Sequence, residues 1–514
     1  MNSEPSAAVP SAETINLSLI SHTNAGKTTL VRTLLQQDVG EVRDAAHVTE
    51  VATGYVMVQD GPNTLMLWDT PGFGDTARLV SRLRASGNPI GWFLTQVWDR
   101  LRDRPLWSSQ QAVRNARDEA NVVLYLVNAS EDPAGAAYVP LEMEVLAWVG
   151  KPIVLLLNQT GPPGEAGKAE EQRWREHLAA TGLVRATLTL DAFARCWVQE
   201  RTLLRTIAPL LDDHKQQAMH GLIAAWTTRN LERFHASMSV LSEQLASIAC
   251  DREEIGDRKW HDRVRGAVTN PTGSDSSPEA KRAMGRLGER VDQAIRSSTD
   301  RLIELHGLSG RAAQEVLKRI RDDYTEAGPA REGVAAMLGG LVSGAAGGLA
   351  ADLAAGGLTL GAGMLVGGIL GAVGAGSAAR GYNLVRGDES NSVRWSEEFF
   401  AGLVRSALLR YLAVAHFGRG RGEWEEGEHP IAWRDAVSEI VTAERGKIRS
   451  IWSQARAVEP QAVVPPLEEL LSRGAGRLLA KFYPETSDLF SGEGRAEFIP
   501  DKEKGARLIG ERPH

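Results

Sequence analysis

Cysteine is almost missing from the chain: Cys196 and Cys250 are the two it has in 514 residues. Two thiols cannot build a disulfide framework or a cysteine metal site, and their scarcity fits a reducing cytosol. The histidines show no HExxH or comparable ligand spacing, and no Ser-His-Asp arrangement stands out. A basic excess is missing too. The chain has 58 Lys+Arg against 65 Asp+Glu, a net charge of −7, which removes any bulk electrostatic case for a nucleic-acid partner. The opening MNSEPSAAVPSAE has neither a basic start nor an apolar run, so no secretory leader is expected. No internal repeat is visible. Hydrophobic residues at 43% and charged residues at 24% are globular proportions and exclude wholesale disorder. Glycine is in excess, with 52 residues.

The length suggests two to four domains. Residues 1–13, polar and Pro/Ser/Ala-rich, read as a disordered tail. From residue 14 to 205 short apolar runs alternate with helical stretches. The runs are Ile15–Ile20, Tyr55–Gln59, Thr64–Trp68, Val122–Val127, Ile153–Leu157 and Thr187–Leu190. Several are continuous β-branched or Leu-rich blocks, the pattern of strands covered on both faces. The alternation predicts an α/β domain with a doubly wound, mostly parallel sheet. After Thr206 the strand signal stops. Helical patterns cover Ile207–Cys250, Pro278–Leu305, Ala312–Ala327, Ser392–Ala415 and Ile431–Ala457. The expected organisation is an α/β domain at 14–205 and a helical domain at 206–330. A Gly/Ala-rich hydrophobic hairpin follows at 331–387, then continued helices at 388–483 and a polar tail at 484–514.

The first strand runs into Ser21-His-Thr-Asn-Ala-Gly-Lys-Thr28 and then a helix from Thr29. The pattern GxxxxGK[ST] between strand and helix places backbone N–H groups and a helix N-terminus around phosphates. Ser21, Asn24, Ala25, Gly26, Lys27, Thr28 and Thr29 therefore form the expected phosphate cradle. Lys27 reaches the β- and γ-phosphates, and Thr28 ligates Mg²⁺. The first glycine of the pattern is Ser21, which is tolerable where φ stays negative. A second strand ends in Asp69-Thr-Pro-Gly72: Asp69 is the expected carboxylate behind Mg²⁺, and the Gly72 N–H the sensor of the γ-phosphate. Between the two motifs Thr49, with Thr53 as runner-up, is the candidate switch threonine that closes on Mg²⁺. Lys27, Thr49 and Gly72 make up the expected catalytic set.

SHTNAGKT, DTPG and the strand order resemble the Era-like P-loop GTPases of the translation-factor-related class. The resemblance covers residues 14–205, under half of the chain. The downstream helices, especially Leu408–Gly422, resemble the uncharacterised C-terminal domain that some bacterial members carry. The resemblance implies a bacterial enzyme that hydrolyses GTP to GDP and phosphate with Mg²⁺. It also implies a K⁺ beside the phosphates, held by Asn24.

Three departures from the family pattern stand out. The guanine-reading NKxD element is Asn158-Gln-Thr-Gly161: Asn158 keeps the amide, but Gly161 replaces the carboxylate and Gln159 the stacking lysine stem. Asp191, after the sixth strand, is the candidate substitute acid. GTP stays the favoured nucleotide by resemblance alone. The position after DTPG, where many relatives carry a water-positioning glutamine, is Phe73, which cannot orient water. The segment Asp75–Glu119 is long for its place and carries Trp92, Trp98 and Trp107 among arginines. It reads as one or two extra helices packed on the α/β domain, or as a nucleotide-gated docking surface.

The glycine excess has one main source. Gly333–Ala379 holds 15 Gly and 13 Ala in 47 residues, with Asp352 the single charge. Gly340, Gly344 and Gly348, and again Gly363, Gly367 and Gly371, recur every fourth residue. Each series lines one helix face in the small-xxx-small manner of paired membrane helices. Flanking Arg331, Arg380 and Arg386 suit a hairpin with both ends in the cytoplasm. Only 15 of the 47 residues are Val, Leu, Ile or Met, so insertion is marginal. The expected protein is a membrane-associated GTP switch at the cytoplasmic face of the inner membrane. Its partners would be GTP/GDP, a lipid bilayer, and a protein partner or second copy. The alternatives are a nucleotide-gated membrane-remodelling or pore-type protein, and a soluble assembly or ribosome-associated GTPase with a buried hairpin. The Gly418-Arg-Gly-Arg-Gly422 turn reads as a plain basic turn, with phosphate or headgroup binding, or an arginine supplied to the nucleotide in trans, as the other readings.

Overall fold

The computed structural model describes residues 12–36, 51–85, 87–95, 103–159, 165–179, 181–190, 196–255, 278–308, 382–386, 391–417 and 429–490. The Gly/Ala block Gly333–Ala379, the helix expected at 312–327, the Gly418–Gly422 turn, Thr49 and Asp191 lie outside the described residues.

The described chain divides into two compact units, one comprising Met1–Leu231 and Ala415–His429, the other Glu232–Val414 and Pro430–His514. In the first unit the elements run β1 (Thr14–Ser21), α1 (Lys27–Leu35), β2 (Thr53–Asp60), β3 (Asn63–Asp69), α2 (Thr76–Leu83), α3 (Pro89–Thr95), α4 (Arg104–Asp118), β4 (Val122–Asn128), α5 (Tyr138–Val149), β5 (Ile153–Asn158), α6 (Glu165–Ala179), β6 (Val184–Thr189) and α7 (Trp197–Ile207). All six expected strands form, each within a few residues of its apolar run. They join in one sheet of order β2-β3-β1-β4-β5-β6. Every neighbouring pair is parallel except β2–β3.

The continuous apolar runs explain why the sheet is covered on both faces. On one side Ile15, Leu17, Leu19, Leu124, Leu126, Val154 and Leu156 pack with Leu30, Leu34, Leu203 and Trp226. On the other Ile20, Val123, Tyr125, Val127, Leu155 and Leu157 pack with Phe73, Phe93, Val113, Val139 and Trp174. Each such aliphatic side chain contributes about 1.5–3 kcal/mol when fully buried, so this double core is what fixes the strand ends. The chain leaves β1 to opposite sides of the sheet, reaching β3 on one flank and β4 on the other. That reversal opens a crevice beyond the C-terminal ends of the strands, the place where α/β sheets bind ligands. Ser21, Asp69 and Asn158 are the last residues of β1, β3 and β5.

The insertion Asp75–Glu119 forms α2, α3 and α4. Trp92 packs as a partly buried residue on the second core, and Trp98 lies outside the described residues.

The helix α8 (Asp213–Cys250) follows, and the second unit adds β7 (Glu253–Ile255), α9 (Pro278–Leu305), β8 (Tyr382–Arg386), β9 (Asn391–Trp395), α10 (Glu397–Ala415), α11 (His429–Ala443), α12 (Arg445–Gln454) and α13 (Pro460–Phe482). It is largely helical, as expected. It also holds an antiparallel sheet of order β7-β9-β8, which the helical periodicity did not reveal. Ser392–Ala415 is therefore strand β9 followed by helix α10 rather than one helix. Val393 and Trp395 of β9 are buried. The start of the expected tail is ordered as well: Pro484–Leu489 is a short 3-10 turn with Thr486 buried. Phe490 beyond it lies 5.7 Å from Phe234, centroid to centroid.

Candidate functional site

The phosphate cradle is built between β1 and α1. Gly26 caps α1 with φ +89°, and a Cβ there would fall 2.7 Å from Asn158 Nδ2. Glycine is required at this position both for the left-handed backbone and for the close approach. Asn24 takes a φ of 65°, which asparagine tolerates better than other side-chain-bearing residues. Ser21 is absent from the positive-φ residues, so serine in place of the pattern's first glycine brings no backbone strain.

Lys27, the first residue of α1, is 7% exposed. Its ammonium donates to Ser21 Oγ at 2.8 Å and to the His22 carbonyl at 3.4 Å. Burial lowers its pKa to about 8, against the opposing pull of Asp69 and Glu142. Phosphate oxygens in the cradle would restore the ordinary preference for the charged form. Thr28 Oγ1 donates to Asp69 Oδ2 at 2.8 Å, so two of the three expected Mg²⁺ residues meet. Both are hard oxygen donors, and Mg²⁺ is held by one or two carboxylates completed by phosphates and water. The residues present fit that ion. Among the described residues no group of three or more His, Cys, Asp or Glu is placed to hold a metal.

The segment after β3 is stitched to the cradle. Thr70 Oγ1 donates to the Leu19 carbonyl at 2.7 Å. Phe73 N–H donates to the Ser21 carbonyl at 3.0 Å, and Thr23 N–H to the Phe73 carbonyl at 3.2 Å. A Cβ on Gly72 would lie 2.9 Å from Thr23 Cα and 3.0 Å from Lys27 Nζ, so only glycine allows this approach. Phe73 itself is fully buried in the second core. Its side chain serves packing, and the segment offers the nucleotide backbone groups alone. Gly74 N–H donates to Ser109 Oγ of α4 at 3.2 Å, which ties the insertion to this loop.

Asn158 is fully buried. Its Nδ2 donates to the Ala25 carbonyl at 3.1 Å, so the amide braces the cradle. Thr53, the runner-up switch threonine, is an exposed residue at the start of β2, paired in register with Asp69. Thr29 is buried in the first turn of α1. Thr49, Gly161 and Asp191 lie outside the described residues.

No motif points to one neighbouring group. Glu142 of α5 is fully buried and accepts hydrogen bonds from His22 of the cradle, Thr76 of α2 and Tyr125 of β4. The signal was an acid inside the apolar stretch Tyr138–Val149.

Residues 175–472 match the model of a family described as a domain of unknown function, DUF3482. Residues 16–159 match a model described as a 50S ribosome-binding GTPase. No curated protein matches the chain. Similar solved structures include Era in complex with MgGDPNP and nucleotides 1506-1542 of 16S ribosomal RNA, at 16% identity and a TM-score of 0.30, covering 40% of this chain and 58% of that one. Era of Aquifex aeolicus bound to GDP and AlF4− has 16% identity and a TM-score of 0.29, covering 39% of this chain and 57% of that one. A bacterial selenocysteine-specific elongation factor has 16% identity and a TM-score of 0.25, covering 38% of this chain and 28% of that one. The chain thus spans less than two thirds of the length of each of these. The matched α/β region, with its sheet order, cradle and Thr28–Asp69 pair, is a P-loop GTPase domain, and the chain as a whole belongs to the DUF3482 family.

Proposed function

We propose that this chain is a membrane-associated GTP-hydrolysing switch, in which the nucleotide state of the N-terminal domain governs the C-terminal helices and their Gly/Ala hairpin. The observation that carries the nucleotide part is the convergence of Lys27, Thr28, Asp69 and Gly72 on one crevice. Lys27 binds the β- and γ-phosphates and neutralises charge that builds on the γ-phosphoryl group as water attacks it. Thr28 and Asp69 hold Mg²⁺, which supplies further neutralisation when bound. The Gly72 N–H reports the γ-phosphate to α2 and, through Gly74 and Ser109, to α4. A K⁺ beside Asn24 would add the positive charge that Phe73 cannot replace.

The membrane part rests on sequence alone: the two four-residue glycine series and the arginines that flank the block. Among the described residues no helix is long and apolar enough to cross a membrane, and the block lies outside them. The testing measurement is equilibrium binding of GTP and of ATP by the full chain, with and without anionic lipid vesicles. We expect GTP to bind more tightly than ATP, and the full chain to sediment with the vesicles. Equal affinity for the two nucleotides would overturn the guanine assignment. Loss of all nucleotide binding in Lys27→Ala is expected under this reading, and tight binding by that variant would remove the phosphate site itself.

A further inference from the structure

Glu142 carries more hydrogen bonds than a packing residue needs, and they converge from three elements of the site, the cradle, α2 and β4. Its Oε1 takes His22 Nδ1 at 2.7 Å and Thr76 Oγ1 at 3.2 Å. Its Oε2 takes the Tyr125 hydroxyl at 2.6 Å. Burial, reinforced by the carboxylate's charge, keeps the Tyr125 phenol protonated far above its ordinary range, so it remains a donor. His22 is braced from the other side by stacking on Tyr138, with ring centroids 4.3 Å apart. A fully buried carboxylate costs several kcal/mol in desolvation before its partners offset it. An apolar residue would fill the same space on α5 at no such cost, so the acid calls for an explanation beyond packing.

His22 and Thr76 bracket the γ-phosphate segment. His22 lies in the cradle, and its backbone pairs with Phe73. Thr76 is the first residue of α2, directly after that segment. At its start the segment is held by Thr70 on Leu19, and in its middle by Phe73 on Ser21 and Thr23. At its end it is held by Gly74 on Ser109 and by Thr76 on Glu142. Because Phe73 points into the core, the segment contributes backbone groups only, and their alignment depends on these anchors.

We propose that Glu142 is a positioning residue for γ-phosphoryl hydrolysis: one carboxylate oxygen clamps the cradle, through His22, to the first turn of α2, through Thr76, and so sets the Gly72–Phe73 backbone against the γ-phosphate. This rests on the GTP-hydrolysis reading above. Displacement of a catalytic group by about 1 Å costs on the order of 100-fold in rate, so a clamp that fixes this backbone acts on the chemical step rather than on affinity.

The experiment uses the full chain in saturating excess over GTP, with saturating Mg²⁺, in K⁺ buffer with vesicles. Single-turnover rate, GDP dissociation constant and thermal midpoint are measured for wild type, Thr76→Val, Thr76→Ser and Glu142→Gln. Thr76→Val keeps the shape and removes one hydrogen bond. We expect its single-turnover rate to fall about tenfold or more, with GDP affinity within about threefold of wild type, and Thr76→Ser to restore the rate. Glu142→Gln keeps an acceptor but loses the charge, and is expected to fall between them. A Thr76→Val enzyme that turns over at the wild-type rate, with or without a lower thermal midpoint, overturns the clamp. So does an equal loss of rate and GDP affinity. If wild type binds GTP but does not hydrolyse it, the hydrolysis reading fails and the clamp falls with it, an outcome distinct from the other two.

Discussion

Lys27 stands at the start of α1, directly after the glycine that caps the helix. Its place in the cradle follows from the motif, because phosphate chemistry dictates that a lysine sit at the helix start after glycine. The depth of its burial does not follow from the motif, and burial sets its titration. In the nucleotide-free chain its pKa is lowered to about 8, below its value in the unfolded chain. Unfolded protein therefore binds more protons than folded protein above pH 8, and Lys27's contribution to folding stability rises with pH across that window. Nucleotide binding runs the other way, since phosphates favour the ammonium and raise its pKa again. Binding then takes up a proton above pH 8. Affinity for GTP or GDP should be flat in Lys27 titration below pH 8 and fall by at most about tenfold per pH unit above it. Titrations between pH 6.5 and 9.5 check this; an affinity that rises above pH 8 contradicts it. Glu142 was illegible for the opposite reason. An acid on an apolar helix is ordinarily placed on the solvent side, and only the fold reveals that Tyr125, Thr76 and His22 surround it.

At the scale of elements, legibility followed the length of the apolar signal. Several strands of the first unit, β4 and β5 above all, are near-continuous blocks of Val, Leu and Ile, the pattern of a doubly covered sheet. In the second unit β7 has three residues and β9 five, too few for a period of two to stand out against the helix that follows. Helix α13 falls within the helices expected over 388–483, although Pro465 and Pro466 sit inside it. Its buried face of Val463, Leu467, Leu470, Leu471, Leu478 and Leu479 outweighs the local cost of the prolines. The segment after β3 gives a prediction of its own. Replacing Phe73 by glutamine would restore the residue that many relatives use to position water. In this fold it would also empty a fully buried aromatic site and put an amide among Ile20, Leu79 and Val80. Loss of a buried phenylalanine costs about 3–5 kcal/mol, and the buried amide adds to it. Phe73→Gln is therefore expected to lower stability by at least that much in urea unfolding, with no gain in single-turnover rate. A rate gain above tenfold at wild-type stability would show that the side chain swings out to the nucleotide.

Across the whole molecule the question is what a nucleotide switch of this type would move. Among the described residues everything downstream of the α/β domain is helix and one small sheet, and the Gly/Ala block outside them holds most of the chain's glycine excess. Glycine costs roughly 1 kcal/mol per helical position relative to alanine in water, so a 47-residue stretch with 15 glycines is poorly suited to standing alone as solvated helices. In a bilayer the same residues let two helices approach closely, but with only 15 Val, Leu, Ile or Met residues the insertion has little reserve. One charge should therefore decide it. A lysine at the centre of a span costs about 2.5–3.5 kcal/mol, and Leu365 stands near the middle of the uncharged run Leu353–Ala379. If the hairpin inserts, the full chain should remain in the membrane fraction after a carbonate wash, and Leu365→Lys should move it to the supernatant with nucleotide affinity unchanged. Loading the wild type with GDP or with a non-hydrolysable GTP analogue before fractionation then asks whether the N-terminal domain governs that partition. A wild type recovered wholly in the supernatant with either nucleotide would end the membrane reading and leave the hairpin as a buried element of a soluble GTPase.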